Sequence, residues 1–225
     1  YFFCFLISSA EGPQPIKNNI GKSIVKSLIG FVGGLWTELR FATGQNKEKK
    51  NFQNFYIDFM ETTLLDVIKK NIRLQLDAGA EVVMMFDSGL SSLDNDFFRG
   101  KYQLLLKNIS NSFPNKVGYY ARGKNYNEIS YLSDLPFAGL GVDNGVDLQH
   151  IFLNSKFGFI QGNFNENHLL LDTKDLENEL NIYSNSMKNM ANLNGWVCGL
   201  GHGINKATPE KNVHLFIETI RKKFN

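Results

Sequence analysis

Six short apolar runs, each closed by glycines or polar residues and each followed by a segment of helical periodicity, set the limits on what this chain can fold into. The runs are 27–34, 82–86, 117–120, 139–143, 157–160 and 196–200. Val82-Val83-Met84-Met85-Phe86 shows no polar alternation, the mark of a strand covered on both faces. Between the runs, Phe59, Leu64, Val67, Ile68, Ile72 and Leu76 recur at helical spacing and predict one apolar face. Phe97, Phe98, Tyr102, Leu105 and Ile109 do the same behind Asp94, a predicted N-cap. So do Leu176, Leu180, Tyr183, Met187 and Met190, and, after Thr208-Pro209, Val213, Phe216, Ile217 and Ile220. Strand-then-helix repeated about six times predicts an α/β fold with a parallel sheet. A (β/α)8 TIM barrel needs eight such units. Six leave two architectures open: a doubly wound open sheet, or an incomplete barrel with about six of its eight βα units. No G-x-G-x-x-G turn opens a helix, which counts against the dinucleotide-binding form of the open sheet.

The 225 residues, 43% of them hydrophobic, are enough for a single domain over 1–225. A net charge of +2, from 24 basic and 22 acidic residues, generates no field that would recruit nucleic acid or a membrane surface. Tyr1-Phe2-Phe3-Cys4-Phe5-Leu6-Ile7 is too short to span a bilayer and has neither the basic flank nor the cleavage site of a signal peptide. The expectation is a soluble protein whose chain begins in the middle of a folded unit. Cys4 and Cys198 make neither a metal-type nor a redox-type pair, which favours a reducing, cytoplasmic setting. The stretch 8–15 is turn-rich, 17–26 reads as a short basic helix or loop, and 45–54 as a solvated connection.

Parallel sheets bind ligands at the carboxyl ends of their strands, where strand tips and helix N-termini converge. The run Gly195-Trp196-Val197-Cys198-Gly199-Leu200-Gly201-His202-Gly203 puts an imidazole between two glycines at such an end. His202 is either a satisfied turn histidine or a group facing a ligand, and both readings stay open. Asp87-Ser88-Gly89 closes the second run and Gln161-Gly162-Asn163 forms the polar exit of the fifth. Ser88 fits a turn or cap as well as a ligand contact.

Taken together, Leu28-Ile29-Gly30-Phe31-Val32-Gly33-Gly34-Leu35-Trp36-Thr37, Asp77-Ala78-Gly79-Ala80, Phe86-Asp87-Ser88, Gly141-Val142-Asp143, Gln161-Gly162-Asn163 and Leu200-Gly201-His202-Gly203 resemble, in order, the motifs of the uroporphyrinogen decarboxylase family. The resemblance runs from about Gly12 to the C-terminus. It implies a (β/α)8 barrel, usually a homodimer, that removes the four acetate carboxyl groups of uroporphyrinogen III to give coproporphyrinogen III without metal or organic cofactor. A pyrrole protonated on carbon itself holds the electrons released when CO2 departs, so the protein's part is to hold the ring, stabilise its positive charge and deliver a proton. By the same resemblance Ser88 matches a substrate-contacting serine, His202 a histidine near a substrate carboxylate, and Phe31 and Gly33, with Gly34, a glycine-rich pocket loop. No residue is assigned a catalytic role.

Three departures accompany the match. The family's tyrosine after the glycine loop corresponds to Phe41, which has the ring but no hydroxyl. Its Leu-Asp-Pro after Gln-Gly-Asn is replaced by Phe164-Asn165-Glu166. The arginine-rich motif of its first strand and the aspartate of its second have no counterpart, and the segment before Leu28 looks a helix shorter. Loss of that aspartate removes the countercharge to a cationic pyrrole, on the order of several kcal/mol in the transition state. The expectation is little or no decarboxylase activity from this polypeptide alone. Two alternatives remain: a non-catalytic remnant that pairs with another chain through open sheet edges, and a zinc-dependent corrinoid methyltransferase. The second would need clustered thiolate and imidazole ligands, and only Cys198 sits near the expected pocket.

Overall fold

All six apolar runs form strands. The computed structural model describes residues 7–8, 28–44, 56–154, 156–190 and 192–224. The expectations for 1–6, 9–26 and 45–54 fall outside the described residues. Strands β2 (Ile29–Gly33), β3 (Val82–Asp87), β4 (Val117–Ala121), β5 (Gly139–Gly141), β6 (Phe159–Phe164) and β7 (Trp196–Leu200) are parallel, each hydrogen-bonded to the next in sequence. A two-residue strand, β1 (Ile7–Ser8), joins the free edge of β7 antiparallel. The full order is β1-β7-β6-β5-β4-β3-β2. A doubly wound sheet must reverse its order at a switch point. This one never does, so of the two architectures the incomplete, curled barrel is the one that forms.

The helices α1 (Leu35–Ala42), α2 (Leu65–Asp77), α3 (Gln103–Ser112), α4 (Tyr126–Ile129), α5 (Leu148–Asn154), α6 (Thr173–Lys188) and α7 (Glu210–Phe224) follow the strands in turn. Asp94 caps as expected, accepting from the Phe97 N–H at 2.9 Å. The apolar face ahead of α2 needs correction. Ile57, Met60, Leu64, Leu65, Ile68 and Ile72 are buried, whereas Phe59 and Val67 are 41% and 55% exposed. One residue turns a helix by about 100°, so Phe59 and Val67, each one step from a buried neighbour, fall outside the stripe. Gln161-Gly162-Asn163 also differs from expectation. It lies inside β6 and pairs with Val197-Cys198-Gly199 of β7 instead of leaving the sheet.

Strand alternation sorts the side chains into two layers. Val32, Met85, Tyr119, Leu140, Ile160 and Trp196 share one register row, and all are buried beneath the helices. The opposite, inner face carries two rows. In the lower row, Met84 Sδ and the Phe159 ring lean over Gly118 and Gly139, where an added Cβ would lie 2.2 Å and 2.5 Å from them. The upper row is Gly33, Phe86, Tyr120, Gly141, Gln161 and Val197. Phe31, at the β2 end of the lower row, is 65% exposed. On the outer edge of β2, the Phe31 N–H donates to Gln75 Oε1 (2.9 Å) and Gln75 Nε2 donates to the Phe31 carbonyl (2.8 Å). A side-chain amide from α2 thus takes the place of a neighbouring strand at that residue.

Asp87 ends β3 facing the helices and is fully buried. Its Oδ1 accepts from the Thr37 N–H (3.1 Å) and hydroxyl (3.0 Å), its Oδ2 from the Tyr119 hydroxyl (2.9 Å) and, very closely, from the Tyr102 hydroxyl. The polarity of two donors is fixed by backbone groups. Tyr102 Oη accepts from the Trp36 N–H (2.9 Å) and Thr37 Oγ1 from the Gly89 N–H (3.0 Å), so each hydroxyl has its proton turned toward the carboxylate. Burial holds the Asp87 carboxyl above its ordinary range against the pull of these donors. Removing the acceptor would leave several buried donors unsatisfied, at about 1–3 kcal/mol each. Asp87→Ala is expected to lower stability by about 4 kcal/mol, a large share of the roughly 5–15 kcal/mol of a typical domain, and Asp87→Asn by less; urea unfolding of both variants beside the parent measures this.

Candidate functional site

The carboxyl ends of the six parallel strands form one rim, and side chains tie its parts together. Ser88 is half-buried directly after Asp87. The turn that follows is fastened to α1: Arg40 donates to the Gly89 carbonyl (3.3 Å) and to Ser92 Oγ (2.8 Å), and Trp36 Nε1 donates to Ser92 Oγ (3.0 Å). Lys124, beyond β4, is 3% exposed and donates to the Leu93 carbonyl (3.2 Å) and Asn95 Oδ1 (2.6 Å), with Glu128 3.9 Å away and the Phe98 ring centroid 5.0 Å away. A desolvated cation therefore locks the β3 and β4 loops to each other.

Across the inner face the Phe86 and Tyr120 rings lie 5.7 Å apart, and the Tyr120 hydroxyl donates to the Gly201 carbonyl at 2.7 Å. Gly201 N–H in turn donates to the Phe164 carbonyl (2.7 Å), and a Cβ at Gly201 would come within 2.6 Å of the Asn144 backbone nitrogen. Only glycine allows the β7 and β5 loops to approach this closely. Asp143 accepts from the Gly123 N–H (2.6 Å) and the Gly145 N–H (3.0 Å), and Asn163 Nδ2 donates to the Asp143 and Val146 carbonyls (2.8 and 2.6 Å). The ends of β3 and β7, with three strands between them in the sheet, are thereby connected through Phe86, Tyr120 and Gly201.

His202 is half-buried beside that connection, its Nδ1 3.4 Å from the Gly203 carbonyl. Burial first, then the nearby Arg122 charge, hold the imidazole below its usual value, against Gly203, Glu166 and Asp143. Arg122, Asp143 and Glu166 also act on the Tyr120 hydroxyl. The Arg122 guanidinium and the His202 imidazole therefore stand at the β4 and β7 ends with acidic groups from the β5 and β6 ends; the guanidinium suits a carboxylate by charge, and the imidazole can offer it a ring N–H.

Of the residues singled out in the sequence, Ser88 and His202 stand on this rim, and Phe31 and Gly33 face the same inner side at its β2 end. Phe41 does not share their surroundings. It follows buried Leu39 by two residues, about 200° round α1, and is 73% exposed. Cys198 is a correction. It belongs to the outer layer, buried next to Tyr183 of α6, and burial pushes its thiol up to about 12, so it does not line the site. Gln161-Gly162-Asn163 is structural where its bonds are seen: the Gly162 carbonyl accepts from the Tyr183 hydroxyl and Trp196 Nε1, both at 3.0 Å. Sequence reasoning passed over Tyr120, Arg122, Lys124 and Glu166. The available signal was their position, each within a few residues of a strand's carboxyl end. Among the described residues no helix is long and apolar enough to cross a membrane.

Comparison with known proteins places these observations in one family. The family model described as Uroporphyrinogen decarboxylase (URO-D) matches residues 19–223. A uroporphyrinogen decarboxylase of Orientia tsutsugamushi (strain Ikeda) is 29% identical, covering 94% of this chain and 64% of that protein. One from Prochlorococcus marinus (strain AS9601) is 28% identical, covering 87% and 59%. The chain thus spans just under two thirds of the length of these relatives. Among solved structures, a methyltransferase from Methanosarcina mazei superposes with a TM-score of 0.65 at 16% identity, over 88% of this chain and 59% of that one. A B12-independent methionine synthase from Shewanella sp. W3-18-1 gives 0.58 at 8% identity, over 88% and 61%. At these identities the likeness concerns the fold.

Two expectations follow. Tyr120→Phe strips the Gly201 carbonyl of a buried donor and should cost about 1 kcal/mol in chemical denaturation, with a shifted His202 titration in NMR spectra. Because the folded state holds His202 below its unfolded value of about 6.5, the unfolded chain binds more protons as pH falls. Stability should therefore decline as pH drops through about 6.5, and His202→Gln should flatten that part of a stability-versus-pH curve.

Proposed function

The chain belongs to the uroporphyrinogen decarboxylase family, and we propose that it supplies the β2-to-β7 part of a site that decarboxylates the acetate side chains of uroporphyrinogen III to give coproporphyrinogen III. The observation that carries this reading is the Tyr120–Gly201 hydrogen bond, which joins the Ser88 and His202 ends of the rim across a concave inner face. In this reading His202, with Arg122 beside it, takes a substrate carboxylate, the Ser88 hydroxyl donates to the ligand, Phe31 offers an apolar ring to the macrocycle, and Gly33 leaves it room. The chemistry needs no cofactor from the protein. A proton adds to a ring carbon, the C–CO2 bond breaks into the resulting cation to leave an exocyclic methylene, a second proton converts that methylene to the methyl group and the ring carbon gives its proton back, while the side chains hold the ring still as charge develops. A homodimer in the cytoplasm is part of the same proposal.

The open inner wall also supports the second reading, a partner-binding module without turnover of its own: Phe31 is largely exposed, and the family's arginine motif and aspartate have no match in this sequence. The methyltransferase reading loses its ligand, since Cys198 faces the helices. The purified chain, incubated anaerobically with uroporphyrinogen III, is expected to bind the macrocycle and form little coproporphyrinogen. Ser88→Ala and His202→Gln are each expected to weaken that binding about tenfold, roughly 1.4 kcal/mol. Rapid product formation by the chain alone would remove the partner-dependent reading, and binding that neither substitution alters would remove the site.

A further inference from the structure

The chain contains two Asn-Gly pairs, Asn144-Gly145 and Asn194-Gly195, and the fold treats them differently. An asparagine followed by glycine can close on itself: the glycine nitrogen attacks the asparagine side-chain carbon, and a glycine has no Cβ to obstruct the approach. Closure requires rotation about the asparagine Cα–C bond, so the glycine must be free to swing. Gly195 is not. Its carbonyl accepts the Ile160 N–H of β6 (2.8 Å), the Trp196 N–H beyond it donates to the Leu193 carbonyl (2.9 Å), and a Cβ on it would lie 2.6 Å from the Gly158 carbonyl oxygen. Gly145 is exposed, its carbonyl accepts no hydrogen bond among the described residues, and beyond its chain neighbours a Cβ on it would meet Asp143 Oδ1 alone, at 3.3 Å.

The turn that carries Asn144 is held at its ends and open between them. Asn163 Nδ2 donates to the Asp143 and Val146 carbonyls (2.8 and 2.6 Å), whereas Asn144 is exposed and its side-chain amide makes no hydrogen bond among the described residues. The Gly145 N–H already donates to Asp143 Oδ1 at 3.0 Å, which draws its proton away from the attacking nitrogen. The packed part of Asn144 is its own backbone nitrogen and Cα, against Gly201, and rotation about Cα–C leaves both atoms in place. We propose that Asn144 is a site of spontaneous deamidation whose product carboxylate stands between the β5 and β7 ends of the rim, against Gly201 and one residue from His202. The Gly145 nitrogen bonds to the Asn144 Cγ and gives its proton to solvent, the Cγ–Nδ2 bond breaks and ammonia departs; water then opens the succinimide at either carbonyl to leave aspartate or isoaspartate. No electrons change hands, and the modification does not depend on what the rim binds. His202 already feels Arg122 from the β4 end, Asp143 from the β5 end, Glu166 from the β6 end and the Gly203 carbonyl of its own loop. One more anion favours the protonated imidazole.

The experiment ages the purified chain in mildly alkaline buffer, folded and in urea, and follows each asparagine by peptide mass spectrometry, with isoaspartyl methyltransferase labelling to count the iso form. Asn144 is expected to convert about tenfold faster than Asn194 in the folded chain, and the two at rates within about twofold of each other in urea, where the fold no longer restrains either glycine. Gly145→Ala, which the open surroundings of that residue accommodate, is expected to slow conversion of Asn144 about tenfold while leaving the melting temperature of the chain unchanged. Asn144→Asp is expected to move the His202 titration, read in NMR spectra, to higher pH than in the parent. Equal conversion of Asn144 and Asn194 in the folded chain, or conversion of Asn144 in urea alone, would overturn the site. A His202 titration that Asn144→Asp leaves in place would overturn the position assigned to the new charge.

Discussion

One buried carboxylate, Asp87, sets the geometry on which the candidate site depends. It accepts from a residue of α1, from the helical turn leading into α3 and from the middle of β4, so three elements that are distant in sequence share one acceptor. Because Thr37 and Tyr102 also accept from backbone N–H groups, neither hydroxyl can reverse its bond without orphaning another group. The turn bearing Ser88 is therefore located by its neighbour's hydrogen bonds. A serine on a free turn would sample many positions; here the backbone on both sides of it is fixed.

The second organising principle is the division of each strand between two environments. Outward residues meet helices and are dry, while the inner face is packed in its lower part by Met84 and Phe159 and tied at its rim by Tyr120. That face is then available for other duties, and its composition shows it: glycines, an exposed phenylalanine, a tyrosine that spans the rim, and ionisable groups at the strand ends. The ionisable groups gather at the carboxyl ends of the strands, the face at which barrel enzymes generally place their sites.

What could be read from the sequence follows from range. The strands were legible because each is a contiguous apolar run, and Asp94 because a cap acts three residues away. Ser88 and His202 were legible because strand ends are marked by local punctuation. The winding was legible only through the family resemblance, which implied a barrel, because single and double winding have the same local pattern and differ only in which strands pair. The Asp87 cluster was hidden for a like reason, since its partners lie 50, 15 and 32 residues distant. Cys198 was misplaced by one step of alternation, and Phe59 and Val67 by one step of a helix.

The side-chain amide of Gln75 on the edge of β2 changes the terms on which this half-shell could be closed. It mimics a peptide group, satisfying one N–H and one carbonyl of Phe31 at no entropic expense of a second chain. A strand arriving at that edge meets an incumbent and must exchange hydrogen bonds with it, so backbone pairing at this residue yields little net gain. At Phe31 the edge of β2 is therefore already occupied by a group of its own chain.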